Sequence, residues 1–312
     1  MKKVLFASTA LIATAGVASA QGVTLSGSAE MGIFGGTAME TQFHTDIDVK
    51  FTLSGETDNG LTFGATIDLD EEGGFAATNG GPESVFLSGN FGTITMGDTD
   101  GAFDWAMNEV PAGPGSINDA ETSHLGFNGN SGLDGTYDGQ IARYDYSFGD
   151  FAFAVSAEID DTGLGDPVIG LGVRYNLNLG GNSAEIAVGY QSVSVGAVDV
   201  DVTGLSLDTS LSGINVGLNY SQMSSNAVAT DQTHMGIGLG YSMDAISFGV
   251  NYGRYDDCGF VAGATCSGFG LSAGYDLGGG ASILAGWSTS TLDVGGVSTD
   301  TNLWSFGVSM SF

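Results

Sequence analysis

Acidic side chains are concentrated in one stretch of the chain that shows no regular pattern of apolar residues. The stretch runs from residue 98 to residue 138. Six of its acids are candidates for chemistry: Asp98, Asp100, Asp104, Glu109, Asp119 and Glu121. Loops of this length are uncommon and are generally functional or disordered. Phe103 and Trp105 lie among the acids, and a fully exposed loop does not need two aromatic residues so close together. We therefore expect a loop that folds back against the rest of the protein.

The spacing of the first acids partly resembles a calcium-binding loop. Four of them occupy positions 1, 3, 7 and 12 of an EF-hand: Asp98, Asp100, Asp104 and Glu109. However, Phe103 stands where the turn glycine is required, and Ala102 stands at position 5. An EF-hand is therefore rejected. We predict no resident cofactor, although calcium bridging by the acid-rich loop stays open as an alternative.

Other arrangements that could do chemistry are weak. His44, His124 and His234 are 80 and 110 residues apart in sequence and form no pair at the spacing of a zinc site. The chain contains no G-x-G-x-x-G loop. We therefore predict that the protein is not an enzyme. Cys258 and Cys266 are the only two cysteines, and an even pair in an exported chain favours a disulfide. We place both in one long loop.

Export is indicated by the N-terminus. Lys2 and Lys3 precede an apolar stretch that ends in Ala18-Ser19-Ala20, which fits a small-residue cleavage site. We predict a signal peptide over residues 1–20 and one mature domain over residues 21–312. The 36 acidic residues outnumber the 6 lysines and arginines, for a formal net charge of −30. Nucleic acid is excluded as a partner, because a phosphate backbone requires cations to replace its counterions.

Apolar and polar residues alternate with a period of two along most of the chain. Residues 43–54 alternate without a break, which is typical of a strand with one apolar and one polar face. Asp58-Asn59-Gly60 then predicts a tight turn. The pattern recurs down to Phe312 and gives sixteen strands.

The two faces of these strands favour a barrel in lipid. No segment after the signal peptide has about 18 uninterrupted apolar residues, so a chain that spans a membrane must do so as a closed barrel. The polar face is rich in Gly, Ser and Thr, whereas the surface of a soluble sandwich is heavily charged. Tyrosines collect at the strand ends on the apolar face, as in an interfacial girdle. We predict an all-β fold, a 16-stranded antiparallel transmembrane β-barrel, over a soluble β-sandwich.

Two segments resemble a known family. GDTDGAFDWAMNEV (Gly97–Val110) and GNSGLDGTYDGQIARYDYSFGDFAFAVSAE (Gly129–Glu158) are similar to the general porins of Rhodobacter-type alphaproteobacteria. The terminal Phe312 resembles the assembly signal of outer-membrane barrels. The resemblance implies a homotrimeric porin of the outer membrane, in contact with lipid and lipopolysaccharide. It also implies that the third loop, residues 98–138, folds into the lumen as a constriction loop, with its acids facing a basic wall, and it supports calcium there more than the spacing does.

The basic wall of this chain is sparser than the family's. Only Lys50, Arg143 and Arg174 have lumen parity. We expect a passive diffusion channel for ions and small hydrophilic solutes that prefers cations, with the six loop acids facing three wall cations. A substrate-specific barrel would require an aromatic ladder on the inward face, which the sequence lacks. A barrel enzyme or adhesin would require a catalytic triad or much longer loops.

Overall fold

The chain folds into one closed barrel. The computed structural model describes residues 22–37, 39–72, 83–110, 113–160, 162–180 and 182–312. These residues form sixteen antiparallel strands, and β1 pairs with both β2 and β16 to close the sheet. The all-β, sixteen-stranded prediction is confirmed. The strands are β1 Gly22–Gly36, β2 Met39–Glu56, β3 Thr62–Glu72, β4 Glu83–Gly89, β5 Gly92–Asp98, β6 Gln140–Phe148, β7 Phe151–Glu158, β8 Val168–Asn178, β9 Ser183–Val195, β10 Val198–Leu211, β11 Ile214–Ser225, β12 Gln232–Met243, β13 Ile246–Asp256, β14 Thr265–Gly278, β15 Ala281–Val294 and β16 Val297–Ser311.

The outer face of the barrel is apolar and exposed. On β8, Ile169 and Leu171 are 46% and 48% exposed, whereas Gly170 and Gly172 between and beside them are buried. The same alternation repeats around the barrel, and Tyr220, among other tyrosines, is exposed on this face. Leaving apolar area in water costs roughly 25 cal/mol per Å², and this cost vanishes in lipid. The apolar parity therefore faces the membrane. Among the described residues, no helix is both long and apolar enough to cross a bilayer.

One connection is much longer than the others. It covers residues 99–139 between β5 and β6 and contains the five-residue helix α1 (Ala102–Ala106) and a single 3-10 turn (Ile117–Asp119). The predicted loop began one residue earlier, but Asp98 pairs with Gln140 and is the last residue of β5. Because strands alternate direction, this is the third connection on its rim. We call it the long loop.

The two cysteines form a disulfide, with their Cα atoms 5.7 Å apart. Cys258 lies in the connection between β13 and β14, as expected, but Cys266 does not. It is the second residue of β14 and stands opposite Tyr255 of β13. Its side chain shares the buried parity of Gly268, so the alternation of β14 extends further toward the rim than predicted from the sequence. The disulfide thus ties the connection to the strand it enters.

The C-terminal residue is hydrogen-bonded to the first strand of the barrel. The amide of Phe312 donates a hydrogen bond to the carbonyl of Gly27 (2.9 Å), which joins the C-terminus to β1. Its ring is 80% exposed on the membrane side, and its role as an assembly signal stays a prediction. Residues 1–20 lie outside the described residues, so the signal peptide and the domain boundary at residue 21 also stay predictions.

Candidate functional site

The long loop lies inside the barrel. Its helix α1 contacts β7, β8 and β9, and its 3-10 turn contacts β15, β16 and β1. The strand residues that it touches, such as Gly172 and Gly286, have the parity opposite to the exposed apolar residues. In a closed barrel this parity faces the interior. The loop therefore runs along the inner wall from β7 to β1 and back.

Glycines make room for the loop along this path. Each of the ten adjacent described strands from β8 to β16 and β1 places at least one inward glycine directly against the loop. Ten of these glycines, one from each strand, are called the glycine belt here: Gly172, Gly189, Gly204, Gly217, Gly236, Gly253, Gly270, Gly286, Gly307 and Gly32. A Cβ atom on Gly253 would collide with the carbonyl oxygen of Gly126, and one on Gly270 with that of Glu121. Close-packed interiors absorb little extra volume, so a side chain at Gly253 or Gly270 would displace the loop.

Apolar side chains pack the first part of the loop against the wall. Phe103 and Met107 are buried against Val168, Val193 and Val202 of the inner wall. Complete burial of a side chain such as Phe103 contributes about 1.5–3 kcal/mol relative to exposure. This small core lies inside the barrel, in space that water would otherwise fill. It accounts for Phe103 in the acidic stretch.

The wall and the returning part of the loop supply hydrogen-bond partners for the ends of helix α1. The amide of Ala102 donates to Ser156 Oγ on β7 (2.8 Å), and the amide of Gly101 donates to the Asp134 carboxylate (2.7 Å). At the other end, Arg174 Nε donates to the carbonyl of Ala106 (3.3 Å). A helix this short leaves most of its terminal groups unpaired by itself. Its conformation therefore depends on the inner wall.

Two of the three predicted wall cations touch the loop. Arg143 Nη1 donates to the carbonyl of Asp100 (2.6 Å), and the guanidinium carbons of Arg143 and Arg174 lie 6.0 and 4.5 Å from the centre of the Trp105 ring. Both distances suit cation–π attraction. These arginines therefore flank α1 instead of standing across the lumen from it. The reason is topological, since β6 follows the loop directly and α1 packs on β7 to β9.

Each predicted wall cation also has a carboxylate neighbour on the wall. Lys50 Nζ lies 2.7 Å from Asp68 Oδ2, and the lysine side chain is 48% exposed. The other two contacts are longer: Arg143 Nε lies 3.5 Å from Asp145 Oδ1, and Arg174 Nε lies 3.9 Å from Glu185 Oε1. The three positive charges are therefore largely balanced within the wall itself.

Asp104 is the most perturbed acid of the loop. Burial, followed by repulsion from Asp100, Asp134 and Glu109, raises the pKa of Asp104 to about 8. Burial, together with repulsion from Asp100 and Asp119, also raises the pKa of Glu109. Asp100, Asp104, Glu109 and Asp134 form the first acidic cluster of the loop. Asp134 was not among the predicted site residues, and burial raises its pKa to about 6.

The remaining loop acids lie near the 3-10 turn. Glu121 is buried and accepts a short hydrogen bond from Ser116 Oγ. Burial raises the pKa of Glu121 to about 6, against the lowering effect of that hydrogen bond. Burial also raises the pKa of Asp119. The structure thus brings Asp100, Asp104 and Glu109 together but keeps Asp119 and Glu121 as a second group, with Asp98 on the strand.

Calcium at the loop gains no geometric support. Within the part of the chain that the structure describes, no three His, Cys, Asp or Glu side chains are grouped so that they could hold a metal ion. The acids repel one another through space without converging on a common point. Calcium bridging therefore stays a hypothesis of the sequence.

Sequence reasoning missed the wall residues that hold the second part of the loop. They are buried polar side chains larger than serine: Glu158, Gln191, Asn219, His234 and Asn251. Gln191 Oε1 accepts from the amide of Leu133 (2.7 Å), while its Nε2 donates to Asp134 (2.6 Å). Glu158 accepts from two further loop amides. The detectable signal is the appearance of bulky polar residues on an inward face otherwise rich in Gly, Ser and Thr.

Two comparisons of the sequence with known proteins both match porins. A family model described as Gram-negative porin matches residues 7–312. A porin of Rhodobacter capsulatus is 36% identical over 147 residues, which are 46% of this chain and 46% of that porin. The matched segment thus spans about half the length of this relative.

Solved structures share the fold over nearly the whole chain. A refined porin structure superposes with a TM-score of 0.72 at 23% identity, over 93% of this chain and 100% of that chain. An anion-selective porin from Comamonas acidovorans gives 0.63 at 17% identity, over 93% and 99%. A triple mutant of the Rhodopseudomonas blastica porin gives 0.63 at 22% identity, over 93% and 100%.

The glycine belt leads to a prediction about loop docking. We expect the double substitution Gly253→Ala and Gly270→Ala to push the segment around Glu121 and Gly126 off the wall, because both new methyl groups meet backbone oxygens. Overpacking of this kind costs about 1–3 kcal/mol. Hydrogen exchange of the amides of residues 120–130 should accelerate by roughly 5- to 150-fold, since exchange follows the local opening free energy.

Gly240→Ala is the matched control. Its methyl group would lie 3.3 Å from the nearest atom, Gly113 Cα, and exchange of residues 120–130 should stay at the wild-type rate. Wild-type exchange in a correctly folded double variant would contradict the role given to the belt.

Proposed function

We propose, since the chain belongs to the Gram-negative porin family, that it forms a water-filled channel for passive diffusion of ions and small hydrophilic solutes. Family and barrel fold place the protein in the outer membrane. The observation that carries the proposal is a closed barrel with an apolar outer face and a polar interior that a long loop narrows from one side. Membership of a channel family also supports the prediction that the protein is not an enzyme.

The charges along the aqueous path support a preference for cations. Lys50, Arg143 and Arg174 each have a wall carboxylate nearby, so they compensate the charge of the loop acids only in part. Rings and patches of acids favour cations in channels, and low-dielectric walls focus their field. The anion-selective relative has the same fold, so the barrel alone does not set the sign of the selectivity. The side chains inside it do.

The outer surface and the family both indicate which partners the protein has. The exposed apolar outer face of the barrel suits the hydrocarbon of the outer membrane. We propose that the protein contacts lipid and lipopolysaccharide at the rim of the barrel. A homotrimer is proposed on the family resemblance. Cross-linking of the detergent-extracted protein, followed by measurement of its mass, tests it.

Neutralising the first acidic cluster tests the proposed selectivity. In the variant Asp100→Asn, Asp104→Asn, Glu109→Gln, we expect the reversal potential across a KCl gradient to move toward that of an anion-preferring pore. The measurement belongs near pH 9, where Asp104, with its pKa of about 8, is ionised in the wild type. The wild-type preference should weaken with salt, because the Debye length falls to ~3 Å at 1 M.

A control with the same change in net charge distinguishes a local from a global effect. Asp199, Asp231 and Asp300 are exposed acids outside the long loop, and their replacement by Asn should leave the reversal potential near the wild-type value. An equal shift in both triple variants would contradict a selectivity set at the loop.

The raised pKa values predict that cation preference grows with pH. A carboxyl group whose pKa is raised is neutral below that value and charged above it. Glu121 and Asp134, with pKa values of about 6, and Asp104, with a pKa of about 8, therefore add negative charge as pH rises. Reversal potentials between about pH 5 and pH 9 should show a rising cation-to-anion permeability ratio. Asp104→Asn should flatten the upper part of the curve, and a ratio that falls with pH would contradict the charge assignment.

A further inference from the structure

One peptide of the long loop is held between two histidine rings. The amide of Gly126 donates to Nδ1 of His124 (3.2 Å), and the carbonyl of Gly126 accepts from Nε2 of His234 on β12 (3.0 Å). His124 is 7% exposed and His234 is 1% exposed. Gly126 itself lies so close to Gly253 of β13 that neither could carry a side chain. We call the two rings the histidine clamp.

The partners of the clamp fix both rings in the neutral form. The Gly126 amide can only donate, so Nδ1 of His124 must accept, and its protonated Nε2 donates to Asn251 Oδ1 (2.8 Å). The Asn251 amide nitrogen donates to the carbonyl of Glu121, which fixes the orientation of the Asn251 amide. Protonation of Nδ1 would place two N–H groups face to face.

The same reasoning applies to His234. Its Nε2 donates to the Gly126 carbonyl, so Nδ1 is left to accept from Asn128 Nδ2 (3.4 Å). Asn128 Oδ1 accepts from the amide of Asn130 (3.0 Å), so its nitrogen is the atom that faces the ring. A proton on Nδ1 of His234 would likewise oppose a donor with a donor.

In the described part of the chain, no carboxylate lies beside either ring to compensate a positive charge on it. The wall side chains that face the clamp are neutral: Ser221 on β11, Asn251 and Tyr255 on β13, and Ser290 on β15. Glu121, whose carbonyl accepts from Asn251, directs its carboxyl group to Ser116. Among the described contacts, neither ring is hydrogen-bonded to a carboxylate. His44, by contrast, has Nε2 at 3.4 Å from Glu30 Oε2.

We propose that the histidine clamp is a proton-operated latch, which holds residues 123–129 on the wall at neutral pH and releases them into the lumen when both rings are protonated. The released segment narrows the aqueous path, so acid lowers the current in steps. A cavity of about 160 Å³ between loop and wall reaches His234, Asn128 and Tyr255, and it is large enough to admit water to the clamp.

The direction of the pH effect follows from burial. Burial lowers the pKa of His124 from its ordinary value near 6.5. A ring released to water regains that value, so the docked segment loses stability as pH falls below about 6.5. The raised pKa values of Glu121 and Asp134 act in the opposite direction, because acid favours their buried, neutral forms. These two residues remain held by Ser116 and by Gln191 and Gly101, and so they bound the segment that moves.

Single-channel recording of the full chain at decreasing pH tests the latch. Each proton taken up on release changes the ratio of closed to open states by about tenfold per pH unit. Below about pH 6.5 the logarithm of this ratio should rise with a slope near 2 in the wild type. His124→Gln or His234→Gln should reduce the slope to about 1, and the double variant should show no acid steps.

His44→Gln is the matched control and should keep the wild-type slope, because His44 lies on β2, outside the histidine clamp. The latch is wrong if the wild type shows no acid steps, if the double variant retains them, or if His44→Gln removes them. The proposal rests on the channel function. A folded barrel without conductance at neutral pH would refute that function, whereas conductance without acid steps would refute the latch alone.

Discussion

The interior of this barrel depends on the absence of side chains along one path of its wall. Ten adjacent strands each present a glycine where the long loop passes, so backbone meets backbone at Gly126 and Gly253. Close approach alone would leave buried amides and carbonyls without partners, which is costly. The bulky inward residues Glu158, Gln191 and Asn251 supply those partners. Glycine makes the space, and a few polar side chains fix the position of the loop within it.

Much of the fold could be predicted from the sequence, because a barrel wall is governed by a local rule. Alternation between a lipid face and an inner face has a period of two, and it is visible in most strands. The long loop was also recognisable, since it breaks that rule while keeping Phe103 and Trp105. Its exact start was less visible, because Asp98 suits a strand end and a loop equally well. Cys266 was placed in a loop for the same reason.

The arrangement of the site could be predicted only in part. Parity assigned Lys50, Arg143 and Arg174 to the inner face, but parity says nothing about which strands the loop covers. The path of the loop over β7 to β9 brings Arg143 and Arg174 against Trp105, and no pattern along the chain encodes that path directly. The glycine belt was present in the composition as an excess of glycine. The composition does not show that one glycine from each strand lies along the path of the loop. Only the structure shows this arrangement.

In the open channel the long loop is docked on the inner wall. A cross-link between the loop and the wall tests this most directly. Val110 on the loop is buried against Gly217 of β11, where a Cβ atom would lie 3.6 Å from Val110 Cα and 3.1 Å from Val110 Cγ1. The two positions are in direct contact, as a disulfide between them requires. In Val110→Cys, Gly217→Cys, peptide mapping should find the new disulfide beside the native one, and single-channel conductance should be the same before and after reduction. A folded barrel that forms no cross-link, or one whose conductance changes greatly when the cross-link is reduced, would contradict a loop held on the wall of the open channel.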